Sequence, residues 1–147
     1  MDSVEKFVPV LGRVLLGLIF VLGGYNKLFA IGATTAQMAS HGLPMASLLI
    51  YGVIALELGG GLMLMFGLLT RWVGLALFFY LISLAFIFHG YWAMPAEQVR
   101  EQRAAFFEHV SMMGGMLYVF AYGPGPLSVD EAAHSRGAHH FFRLKLR

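Results

Sequence analysis

The residues with the most chemical potential in this chain are ionisable groups set inside long apolar stretches. Glu57 is the clearest case, standing midway through ALELGGGL with nothing polar beside it in sequence. A charged side chain at a bilayer centre costs about 2.5–3.5 kcal/mol on insertion scales, so a residue of this kind has a partner or a task. A carboxyl so placed can exchange a proton, with burial favouring its neutral form and a nearby cation its charged form. Gly59, Gly60 and Gly61 follow it and let a neighbouring helix or a flat ligand come close. The structural alternative is a clamp, in which Glu57 pairs with Arg13 or Lys27 to fasten the bundle.

Upstream, Arg13, Gly17, Phe20, Gly24 and Lys27 fall at offsets of 4, 7, 11 and 14, which is one face of a helix. That face must look into the protein. Arg13 and Lys27 would lie about 21 Å apart along the axis, one near each membrane surface. Both could snorkel outward, and for Lys27 that is the expected position. Asn26 adds a side-chain amide that lipid cannot satisfy. His89 lies near the end of a third apolar stretch and Glu108-His109 about a turn into a fourth, at similar depth if the two helices run antiparallel. Two facing histidines could ligate haem b axially, or with Glu108 hold a metal. Single histidines without ligand spacing point instead to hydrogen bonding beside a polar cavity, and no metal site is assigned. A quinone needs a flat apolar slot with one or two donors at its carbonyls, which Lys27, His89 or His109 can supply. The candidate set is therefore Glu57, Lys27 and His109 for catalysis and His89, Asn26 and Arg13 for ligand binding.

These groups need a scaffold, and composition fixes its class. The 147 residues are 59% hydrophobic and 12% charged, with a mean hydropathy of +0.72, against about 45–50% apolar in a soluble domain. Four stretches are long enough to span a bilayer: residues 9–31, 45–69, 72–92 and 105–122. The fold class is an all-α, polytopic membrane four-helix bundle. The first apolar run exceeds the roughly 7–15 residues of a secretory signal core and reads as an uncleaved anchor. Gly32 to Pro44 reads as a polar loop, and Thr70-Arg71 as a link so short that it forces a helical hairpin. Pro95 opens a surface helix leading into the fourth span. Gly-Pro-Gly-Pro at 123–126 stops that span, and Ser128 to Glu131 has capping-box spacing. Residues 1–130 thus form the membrane domain and 131–147 a basic tail ending in HHFFRLKLR.

Lys6, Arg13, Arg71, Arg136, Arg143, Lys145 and Arg147 fall on one side of these spans, and Lys27, Arg100 and Arg103 on the other. By the positive-inside rule both termini are cytoplasmic. A formal charge of +2 is too small to argue for nucleic acid. The absence of cysteine excludes thiol catalysis, disulfides and iron–sulfur clusters on this chain.

The segments GRVLLGLIFVLGGYNKLF, ALELGGGLMLMFGLLTRWVGLAL and MMGGMLYVFAYGPGPLSVD, in that order, resemble the DoxX family of small four-helix membrane proteins from about Arg13 to Asp130. The resemblance implies a cytoplasmic-membrane protein related to the membrane subunit of a thiosulfate:quinone oxidoreductase and to proteins linked with quinone or catechol stress. Arg13, Lys27 and Glu57 match polar positions of the family pattern. Glu108-His109 stands where many relatives have Lys-Asn, which replaces a cation by an anion. The expected function is a component of a quinone-linked membrane redox system, its electrons supplied by a partner or bound cofactor. Alternatives are a non-catalytic anchor or assembly partner and, third, a small transporter using Glu57. The expected surroundings are the lipid bilayer and a protein partner or a second copy of the chain.

Overall fold

The structure is a computed structural model that describes residues 3–135 and is helical throughout its regular elements. In chain order these are α1 (Ser3–Phe29), α2 (Ile31–Ser40), α3 (Ala46–Ala55), a π-helical turn (Leu56–Gly60), α4 (Gly61–Phe66), α5 (Thr70–Phe88), a 3₁₀ turn (Tyr91–Ala93) and α6 (Ala96–Tyr122). Residues 129–135 form a last short helix. Four continuous segments have the length and apolarity to cross a membrane: Ser3–Phe29, Ala46–Phe66, Thr70–Ala93 and Ala96–Tyr122. The basic end HHFFRLKLR lies outside the described residues.

In hydrocarbon there is no hydrophobic drive between helices, so close packing through small residues holds the spans together. At the crossing of α1 and α4, a Cβ on Gly17 would lie 2.5 Å from Met65 Cγ and 2.6 Å from the Gly61 carbonyl oxygen. One on Gly61 would lie 2.9 Å from the Gly17 oxygen. The two backbones therefore touch directly. Gly74 brings α5 against α6 near Met116, and Gly115 brings α6 against Leu16 of α1. Phe20, Leu64, Leu77, Leu81, Met116 and Val119 fill the space between.

The segment expected as a loop between the first two spans is a helix over most of its length. Ile31, Thr34 and Met38 recur at helical spacing, and Met38 buries against Ala46, Ile50 and Ile54. A segment folded back onto a membrane bundle meets its own backbone hydrogen bonds most readily as a helix, which overrides the polar composition of Gly32 to Ser40. The hairpin turn also differs from expectation. Thr70 and Arg71 already belong to α5, and the turn is Gly67, Leu68 and Leu69. Gly67 takes the left-handed conformation (φ 72°), and Leu68 N–H returns to the Met63 carbonyl at 2.8 Å, closing the end of α4.

Beyond α6 the chain folds back across this turn. Asp130 accepts hydrogen bonds from Leu69 N–H (2.8 Å), Thr70 N–H (2.9 Å) and the Thr70 hydroxyl (2.8 Å), while its own N–H donates to the Gly67 carbonyl (3.0 Å). The carboxylate caps α5 from sixty positions away. Ser128 accepts the Glu131 N–H at 3.1 Å, the capping expected from the sequence. Arg71 in turn donates to the carbonyls of Phe120 and Ala121 at the end of α6. Arg13 is 3% exposed and donates to the Leu127 carbonyl at 3.1 Å, so it closes this end of the bundle instead of reaching toward Glu57.

Burial alone would raise the Asp130 carboxyl, but hydrogen bonds from Thr70 and Leu69, with the Arg13 guanidinium nearby, hold it below the ordinary carboxylate value. A depressed folded pKa contributes stability that is complete above the unfolded value of about 3.9 and is lost as pH falls through the folded value. Asp130→Ala should lower stability by about 1 kcal/mol, the usual worth of a helix cap, and flatten that acid dependence in detergent unfolding curves. Gly61→Val, which places a branched side chain against the α1 backbone, should cost about 1–3 kcal/mol in the same assay.

Candidate functional site

The π turn Leu56–Gly60 carries Glu57 into the bundle, where the residue is 4% exposed. Such turns occur preferentially at functional positions in helices. Lys27, near the end of α1, does not snorkel. Its Nζ donates to both carboxylate oxygens of Glu57, at 2.9 Å and 2.8 Å. An unpaired buried carboxylate would cost far more than the solvation Lys27 gives up, and this reverses the expectation for the lysine. Tyr80, on α5, donates its hydroxyl to Glu57 Oε1 at 2.5 Å. Three helices thereby meet at one carboxylate. Gly23 makes the room, since a Cβ there would sit 3.3 Å from Glu57 Oε2.

Above the ion pair lies a cavity of about 400 Å³, within the usual size of small-molecule sites. Lys27, Tyr80, His89 and His109 line it together with Thr34 and Gln37 of α2. Leu49, Val53, Leu84, Ile87 and Phe88 supply its apolar walls. Of these, Leu49 and Ile87 are 42% and 36% exposed. The His89 and His109 rings stack with centroids 4.8 Å apart and planes inclined by 31°. His89 Nδ1 meets Gln102 Oε1 at 2.8 Å, and His109 Nδ1 meets the Ala105 carbonyl at 2.7 Å.

Of the six residues singled out in the sequence, Lys27, His89 and His109 line this cavity, and Glu57 joins it through Lys27 and Tyr80. Arg13 lies at the opposite end of α1, against Leu127. Asn26 is on the exposed side of α1 and makes no side-chain hydrogen bond among the described residues. Glu108 is likewise exposed, away from the histidine pair. Ligation of one haem iron from both sides needs two rings end-on with the porphyrin between them, and a stacked pair leaves no such gap. Tyr80 was not among the sequence-derived candidates. Its signal is a hydroxyl in the middle of FFYLISLAFIF, which must find a partner once buried.

Removing one member of the ion pair strands the other. Lys27→Met and Glu57→Gln should each cost about 3–5 kcal/mol in unfolding experiments, or less where the survivor neutralises, and the double variant should recover most of the loss. Tyr80→Phe removes one hydrogen bond to a charged group and should cost about 1.5–3 kcal/mol.

Comparison with known proteins places this geometry in a family. The DoxX family profile matches residues 8–90. The inner membrane protein YphA of Escherichia coli K12 is 31% identical over 121 residues, covering 82% of this chain and 86% of the relative. The inner membrane protein YqjF of the same organism is 29% identical over 136 residues, covering 92% and 99%. A Bacillus subtilis protein named "Putative oxidoreductase CatD" is 40% identical over 74 residues, half of this chain and 54% of the relative. No solved structure matches. With four membrane-spanning helices, a family match over more than half its length and inner-membrane relatives covered almost end to end, this chain belongs to the DoxX family and is a multi-pass inner membrane protein.

Proposed function

We propose that the protein is a component of a quinone-linked membrane redox system and that the cavity beside Lys27 holds the quinone headgroup. The observation that carries this reading is a single cavity lined both by apolar Leu49, Val53, Leu84, Ile87 and Phe88 and by polar Lys27, Tyr80, His89 and His109. A flat, lipid-soluble ring that reacts through two polar oxygens needs walls of both kinds, and the exposed Leu49 and Ile87 offer it an entrance from the bilayer. The oxidoreductase name of one partial relative is in keeping with this.

A quinone in the cavity would supply two-electron, two-proton chemistry. The chain's own part is to donate from Lys27 to one ring oxygen, to seat the headgroup beside His109, to keep water out with the aliphatic walls, and to hold a proton on the Glu57–Tyr80 pair. Without cysteine, electrons come from a partner or a bound cofactor. In the orientation given by the positive-inside rule, the cavity occupies the outer half of the membrane.

Saturable binding of a short-chain benzoquinone to the protein in lipid nanodiscs, one per chain, is the expected result. Leu49→Trp, at the exposed mouth, should abolish binding while leaving the fold intact. Binding that never saturates would overturn the reading.

A second reading, a membrane anchor for another subunit or copy, is favoured by α6. Its outer face exposes Glu108, Ser111 and Gly114, and nothing approaches a Cβ built at Gly114 within 4 Å. Since the chain has no cysteine, Gly114→Cys offers a single cross-linking handle in native membranes. A specific cross-linked species supports the anchor reading, and its absence counts against it.

A further inference from the structure

We propose that the cavity selects the hydroxyl-bearing quinol over the carbonyl-bearing quinone, with His109 Nε2 as the discriminating atom. The inference rests on the quinone reading above and adds to it which redox form the empty site is complementary to.

The argument is a count of donors and acceptors that α1, α5 and α6 present to the cavity. The Ala105 carbonyl can only accept, so the 2.7 Å contact makes His109 Nδ1 the donor. In the neutral ring the proton is thereby committed to Nδ1, and Nε2 presents a lone pair. His89 is not committed in this way, because its Nδ1 faces the side-chain amide of Gln102 (Oε1 at 2.8 Å), which can turn to accept or to donate, and this singles out His109. Neither Nε2 makes a hydrogen bond among the described residues, and the buried side-chain nitrogen and oxygen atoms lacking a partner there belong to Arg13 alone. Both Nε2 atoms are therefore reachable, on rings that line the cavity.

The polar groups on α5 lean the same way, while Thr34 and Gln37 of α2 can each donate or accept and so favour neither form. Tyr80 spends its hydroxyl proton on Glu57, and Ser83 spends its own on the Phe79 carbonyl at 3.2 Å, so each offers the cavity only an acceptor. Lys27 directs two of its three donors to Glu57. On the side built by α1, α5 and α6, acceptors outnumber committed donors. A ligand of hydroxyl donors satisfies them, whereas a pair of carbonyl oxygens would leave the His109 lone pair facing another acceptor. A site built to hydrogen-bond one partner rejects the analogue lacking that hydrogen because its polar groups are left unpaired.

The test compares three probes on the whole chain in nanodiscs, without oxygen and at one fixed pH: a short-chain benzohydroquinone, the matching benzoquinone, and the hydroquinone dimethyl ether. The hydroquinone should bind about tenfold more tightly than either of the others, the effect of one hydrogen bond made or missed. His109→Phe, which keeps a stacked ring but removes the acceptor, should erase the difference. Equal or tighter binding of the benzoquinone would overturn the proposal while leaving the quinone reading intact. Saturable binding of none of the probes would overturn both. The wild-type comparison decides the question even if the variant fails to fold.

Discussion

A carboxylate in hydrocarbon has to be neutralised, and the arrangement of this bundle follows from how Glu57 meets that requirement. Its charge is matched by one cation, Lys27, and one hydroxyl, Tyr80, drawn from two other spans. The contacts fix the rotation of α1 and α5 about the π turn, because each side chain has one direction in which it can reach Glu57. The glycines at 17, 23, 24 and 61 are the complement of that constraint. The spans must come close enough for a lysine to bridge them, and any side chain at those positions would hold them apart. Buried ion pairs give little net stability relative to apolar packing, and their value lies in admitting a single alignment of the elements that carry them.

The cavity is a by-product of the same alignment. Lys27 is pulled inward along α1, and the helix ends two residues later at Phe29. Beyond it α2 folds over the opening instead of extending it, so the bundle is capped there by Thr34, Gln37 and Met38. The polar groups that hold the helices together are the ones that line the cavity. The clamp around Glu57 and the cavity beside it share Lys27 and Tyr80.

The four apolar spans and the all-α class were legible in the sequence, because a bilayer demands long apolar helices and little else has that signature. So was the likeness of depth between His89 and His109. The surface helix expected after Pro95 is instead continuous with the fourth span from Ala96 to Tyr122. Lys27 was misjudged because snorkelling was weighed against solvent alone, without a carboxylate known to lie in reach. Glu57's choice of Lys27 over Arg13 depends on which end of α1 the second span crosses, a relation between helices that no local pattern records. Tyr80 was hidden in an aromatic-rich stretch where one hydroxyl looks like packing. The helix α2 was concealed by its Gly, Thr and Ser content, although Ile31, Thr34 and Met38 carry the correct period.

The cap on α5 has a temporal meaning. A chain made from its N-terminus completes the 67–69 turn long before residue 130 emerges, so the α4–α5 hairpin enters the membrane with the N–H groups of Leu69 and Thr70 still open to water or lipid headgroups. They acquire their partner only after α6 has crossed and the Gly123–Pro126 segment has turned back. The segment that follows the fourth span thus acts as a seal on assembly, closing the bundle once the four spans are in place and leaving a partly inserted chain with one end unfastened.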